Sequence, residues 1–130
     1  MNNQHIMAVD ELFHHACKVL SVKNLKWRPM DGRKAPVNTA KDYTLGYTDL
    51  KKREITLDIY TPRRRQPKAF NSLLRVIAHE VAHLQKPPYK QRYRGRWITR
   101  IHFPEFYNQC NKNIGKFKKD RYLGQYFRKV

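Results

Sequence analysis

Residues 79–83 read His-Glu-Val-Ala-His. In an α-helix, two histidines four positions apart stand one turn apart on the same face, so both imidazoles can reach one ion. Glu80 follows the first of them and is rotated about 100° from it. Its carboxylate therefore lies beside the ion rather than among its ligands, where it can take a proton from a zinc-bound water. A purely structural site has no need of such a base. The chemistry expected of this segment is zinc-assisted hydrolysis, with His79 and His83 as ligands and Glu80 as the catalytic base.

Two imidazoles do not complete a catalytic zinc site, which ordinarily has three protein ligands and one open position. The other histidines are His5, His14, His15 and His102, and Glu54 and Glu105 are carboxylate candidates along with the aspartates. His14 and His15 belong to an amphipathic helix, where packed or exposed histidines are ordinary. His102 stands at the mouth of a predicted helix, and the loop from His83 is long enough to fold back, which makes it the leading third ligand. Glu105 is its rival. An oxyanion helper would come from Tyr43, Tyr47, Tyr89, Tyr93 or Tyr107, with nothing in the spacing to choose among them.

The elements that must position these residues follow from periodicity. Ile6, Val9, Leu12, Phe13, Ala16, Val19 and Leu20 recur at helical spacing, which predicts a helix over 6–22. Residues 24–41, with Pro29, Asp31-Gly32 and Pro36, read as turn and loop with a short strand near Leu25–Trp27. Strands are predicted at Tyr43–Tyr47 and Glu54–Tyr60, paired as a hairpin across a polar turn at 48–53. In the second strand Ile55, Leu57 and Ile59 alternate with Thr56 and Asp58 as in a half-buried strand, and its edge could receive an extended peptide. Asn71 or Ser72 is positioned to cap the helix that carries His79 and His83. Leu73, Val76, Ile77, Val81 and Leu84 form its apolar arc, the small Ala78 and Ala82 invite close packing, and Pro87-Pro88 ends it. Pro104 suits the first turn of a last helix, with Gly115 as its expected end. The basic aromatic tail 118–130 is either docked or partly flexible. The sum is one α+β domain over residues 1–130.

The chain of 130 residues carries 28 Lys and Arg against 10 Asp and Glu, a net charge of +18. Thirteen of those cations and only two of the acids fall in residues 85–130. A field this strong favours polyanions. In the connector 86–101, aromatic residues alternate with Lys90, Arg92, Arg94, Arg96 and Arg100, and Trp97 stands among them. Cations suit phosphates and exposed rings stack on unpaired bases, so these residues are candidates for nucleic-acid binding, DNA foremost, and Arg63, Arg64 and Arg65 could extend the same surface. No window resembles a membrane span, and no basic start followed by an apolar block marks a secretory signal. Two cysteines exclude a disulfide scaffold or a cysteine-pair zinc ribbon, so a cytoplasmic location is expected.

The pairing of HEVAHL at 79–84 with His-Phe-Pro-Glu-Phe at 102–106 resembles the SprT-like metalloproteases and their relatives, the WLM (Spartan/Wss1-type) and YgjP-like proteins. The similarity spans roughly residues 54–110. It implies a minimal zincin: a helix, a small sheet with an edge strand over the cleft, and the active-site helix. It also implies one zinc ion on His79, His83 and His102, Glu80 as general base, and protein substrates bound or crosslinked to DNA. Two other classes remain open from the residues themselves: a basic DNA- or RNA-binding module with a non-catalytic zinc site, and a metal-dependent hydrolase of another bond.

Overall fold

A computed structural model describes residues 3–30 and 45–128 of the chain. Helix α1 (Asn3–Val19) leads into strand β1 (Lys26–Pro29), and β2 (Gly46–Asp49) turns into β3 (Glu54–Leu57). Helix α2 (Phe70–Gln85), strands β4 (Tyr89–Tyr93) and β5 (Arg96–Arg100), and helix α3 (Pro104–Lys119) follow, and a 3-10 helix, Leu123–Phe127, ends the described chain. The fold is α+β, with three α-helices and two small sheets among the described residues. Among the described residues no helix is long and apolar enough to cross a membrane.

Helix α1 buries Val9, Leu12, Phe13 and Ala16, as its spacing predicts, and Leu20 just beyond it is buried too. It stops at Val19 rather than running to residue 22. Ser21 adopts the left-handed conformation (φ 57°). Its N–H and that of Val22 bond back to the carbonyls of Lys18 and Cys17. That is a Schellman closure with serine where glycine is usual, so the stop signal was absent from the sequence.

The first sheet has the order β1-β3-β2, with β1 parallel and β2 antiparallel to β3. The expected hairpin is present, but β2 is displaced toward the turn, and the start of the predicted strand at Tyr43 lies outside the described residues. Strand β3 is central, so its edge cannot receive a peptide; among the described residues the outer strands of the sheet are β1 and β2. Central placement also alters the expected half-burial. Thr56 and Asp58 are buried along with Ile55, Leu57 and Ile59. Arg28 and Tyr47, both in register with Thr56 from the flanking strands, meet across it through a 3.4 Å hydrogen bond.

Asp58, 1% exposed, is held by the guanidinium of Arg65 through two 2.9 Å bonds. Arg65 is thereby committed to the fold rather than to a partner, while Arg63 and Arg64 are exposed. Removing one member of a buried pair leaves the other charge uncompensated, at a cost of roughly 3–5 kcal/mol. Arg65→Ala is expected to lose about that much stability in urea denaturation, whereas Arg63→Ala should be close to neutral.

Helix α2 begins at Phe70 with Ala69 at its N-cap and no side-chain cap. Asn71 and Ser72 fall inside the first turn instead, because Phe70 packs against the rings of His5 and Tyr126 and draws that turn inward. Helix α3 passes Gly115, whose Cα faces open space, and continues to Lys119 because Phe117 is fully buried. The chain then docks. Asp120 accepts bonds from His15 and from the N–H groups of Tyr122 and Leu123, and Leu123 is buried. Gly124 packs so closely that a Cβ would lie 2.6 Å from the Lys118 carbonyl oxygen. Of the two readings of the tail, residues 120–128 take the docked one.

Residues 86–101 form an antiparallel hairpin, β4–β5, rather than an irregular connector. Its two central turn residues, Arg94 (φ 49°) and Gly95 (φ 82°), both lie in the left-handed region, as a type I′ turn requires.

Candidate metal centre

Helix α2 turns Leu73, Leu74, Ile77, Ala78 and Val81 into the core. That packing leaves His79 and His83 half-buried on the flank that faces β2 and the start of α3. The close approach foreseen at Ala78 and Ala82 is made by α3. Asn113, fully buried, donates to the Ala78 carbonyl (3.1 Å) and to Gln85 Oε1 (2.7 Å), bracing α2 on both sides of the histidine pair.

His102 lies in a bend before α3, with Phe103 as the extended N-cap and Pro104 in the first turn. This geometry carries its imidazole over α2. The ligand atoms of His79, His83 and His102 all lie within 4.8 Å of one another. Phe106, one turn into α3, forms a floor beneath them, its ring centroid 4.9, 4.5 and 5.1 Å from those of His79, His83 and His102. Tyr107 stacks on His102 at 6.1 Å.

The other candidates stand elsewhere. Glu105 is exposed and outside the cluster, and Glu54 faces Arg28 at 3.5 Å. His5 is buried and bonds the Ile59 carbonyl oxygen, His14 pairs with Asp10, and His15 with Asp120. Among the described residues, no fourth protein ligand joins the three.

The donors suit a divalent ion of intermediate softness. Burial, then the neighbouring His79 and His102, hold the His83 imidazole down to about pKa 4. Burial and His102 lower His79 in the same direction. Both rings are therefore neutral at physiological pH, as metal ligation requires. Three imidazoles gathered in this way form a donor set that could hold a metal ion.

Glu80 is 4% exposed and points toward β2, where Thr48 Oγ1 lies 2.6 Å from its Oε1 and 3.1 Å from its carbonyl oxygen. Burial raises the Glu80 carboxyl above the ordinary glutamate range, and the Thr48 bond opposes the rise by favouring the charged form. Removing that bond while keeping the burial has a definite sign. In metal-free protein, Thr48→Val is expected to move the Glu80 titration to still higher pH, read from its carboxyl carbon by NMR.

A cleft of about 320 Å³ lies in front of these groups, walled by Tyr47 and Thr48 on one side and by Pro88 and Ile101 on the other. Of the oxyanion candidates, Tyr47 lines this cleft and Tyr107 adjoins His102. Tyr89 packs edge-on against Phe103, and Tyr93 lies beneath Arg94 and Arg100. Tyr43 lies outside the described residues. Thr48 and Asn113 were not singled out in the sequence, because nothing local marks a residue whose partner is 28 to 35 positions away.

The β4–β5 register pairs Arg92 with Trp97 and Lys90 with Thr99, so these four share one face. Trp97 is 64% exposed. Arg96 and Arg100 lie on the opposite face, where Arg100 bonds Gln91 and covers Tyr93, and Arg94 occupies the turn. The hairpin thus splits the basic candidates into two sets. No family model matches the chain, and no curated protein or solved structure matches it either.

Proposed function

We propose that the chain is a zinc-dependent metallopeptidase that acts on extended polypeptide close to nucleic acid. The observation that carries the reading is the convergence of His79, His83 and His102 beside the buried carboxylate of Glu80. When bound, zinc lowers the pKa of a coordinated water and polarises a carbonyl. The chain's own residues do the rest. Glu80 accepts the proton of the attacking water and later delivers it to the leaving amine. Thr48 holds one carboxylate oxygen and leaves the other free for that transfer. Antiparallel alternation, anchored by the bond from Asp58 N–H to the Leu45 carbonyl, points the backbone groups of Gly46 and Thr48 away from β3. An extended substrate can pair with them along the cleft.

The nucleic-acid part rests on the hairpin face of Lys90, Arg92 and Trp97, which joins cations to an exposed ring on a hairpin whose flanking residues Pro88 and Ile101 line the cleft. Stacking of a base on such a ring is worth about 1–3 kcal/mol.

The test uses the zinc-loaded chain with an unfolded protein substrate, with and without single-stranded DNA. Cleavage is expected to stop on chelation and return with added zinc, and DNA binding to weaken with salt and in Trp97→Ala. Salt-sensitive DNA binding with no proteolysis would leave a binding module with a non-catalytic metal. Chelator-sensitive cleavage of the nucleic acid itself would make the chain a hydrolase of another bond.

A further inference from the structure

A second and larger cavity, about 710 Å³, opens beside the metal centre and shares His79 and Glu80 with it. Its walls are mostly apolar and include Leu45 just before β2, Gly46 from β2, Pro62 and Val76. Ser72, Val76 and His79 also line it, and they lie at i, i+4 and i+7 on one stripe of α2. The stripe that carries the first histidine therefore runs directly into this space. Strand β2 is held tightly against that stripe. A Cβ on Gly46 would meet the Thr56 carbonyl oxygen at 2.8 Å and Val76 Cγ1 at 3.2 Å.

Two cations complete the lining. Arg75 carries its guanidinium over the Phe127 ring at 5.3 Å, so it presents mainly its stem to the cavity. Lys68 is buried in the wall. A chamber with mostly apolar walls accepts hydrocarbon, and its margin sets these two cations beside the Glu80 carboxylate.

The direction of a bound chain follows from β2. Gly46 and Thr48 share the strand face turned toward α2, since Thr48 reaches Glu80 and Gly46 abuts Val76. A polypeptide added to this edge sends every second side chain toward α2. One of them, adjacent to the bond held at the metal centre, meets the cavity.

We infer that this cavity is the specificity pocket of the enzyme, receiving one bulky apolar side chain next to the scissile bond. The inference rests on the peptidase reading and adds to it the class of substrate residue. Discrimination by an apolar pocket runs on the order of 10- to 200-fold for even a methylene, so a benzyl group against hydrogen should reach that range.

Peptide hydroxamates separate the two readings, because the hydroxamate engages the metal whatever its side chain. Three are compared by calorimetry on the zinc-loaded full chain, with hydrogen, benzyl or aminobutyl at the position after the chelating group. The benzyl compound is expected to bind at least about tenfold more tightly than the hydrogen compound, and more tightly than the aminobutyl compound. Ser72→Trp, which fills the cavity from an exposed position on α2, is expected to erase the benzyl advantage. Leu45→Trp fills it from the opposite wall and should do the same. Equal affinities for all three compounds overturn the pocket while leaving the metal centre intact. A benzyl advantage that survives both tryptophan variants also overturns it. Absence of binding by every compound overturns the metal-centre reading, and the pocket with it.

Discussion

Glu80→Gln is expected to lower peptide hydrolysis by about 10²- to 10⁴-fold, the range supplied by a positioned general base, with zinc content unchanged. The substitution is a clean one at this position. Glutamine has the same shape, and its amide oxygen can accept the same bond from Thr48 Oγ1 that the carboxylate accepts at 2.6 Å. Glu80 does not belong to the cluster of ligand atoms formed by the three histidines, so the ion keeps its donors. What is lost is the ability to take and return a proton, which an amide lacks. The burial that raises the carboxyl's pKa should also make the neutral amide easy to accommodate. Turnover of a fluorogenic peptide beside zinc measured on the same preparation provides the check. Undiminished turnover in the variant would sink the role of Glu80.

The second large effect concerns His102. Removing one of three imidazole donors should weaken zinc binding by more than the roughly 10- to 100-fold that follows loss of a mere supporting partner. His102→Ala is therefore expected to give up most of its metal to a competing chelator under conditions where the unaltered chain stays loaded. Its fold should persist, since His102 is exposed and occupies a bend rather than the interior of a helix. The Phe106 ring, fully buried one turn later, anchors the start of α3 independently. Glu105→Gln is the matched comparison: exposed and outside the cluster, it should leave affinity unchanged. Retention of zinc in His102→Ala together with loss in Glu105→Gln would transfer the third ligand to the carboxylate.

Much of this centre is legible before any coordinates. His79, Glu80 and His83 are set by spacing on one helix, and helical geometry alone puts the two rings together and the carboxylate to one side. Pro104 announces the helix that His102 precedes, because proline is tolerated in a first turn and poorly elsewhere. The alternation in β3 and the polar turn before it predict the hairpin. These are local signals, each written within a dozen residues.

Other features depend on which elements lie against one another. The residues of β3 do not say that β1 flanks the strand on its second side, which makes β3 central and leaves β1 and β2 as the outer strands among the described residues. Arg65 reads as one of three identical cations until Asp58 claims it. Gly115 looks like a helix end, yet Phe117 beyond it is worth more buried than the glycine costs in the helix. An Arg-Gly pair is a weaker hairpin signal than Asn-Gly, so β4–β5 read as a loop. Periodicity determines the donors, the helix that carries them and the excess of positive charge. Tertiary packing decides the distance from Thr48 to Glu80, the Phe106 floor and the cavity beside His79, since each depends on side chains brought together from distant parts of the chain.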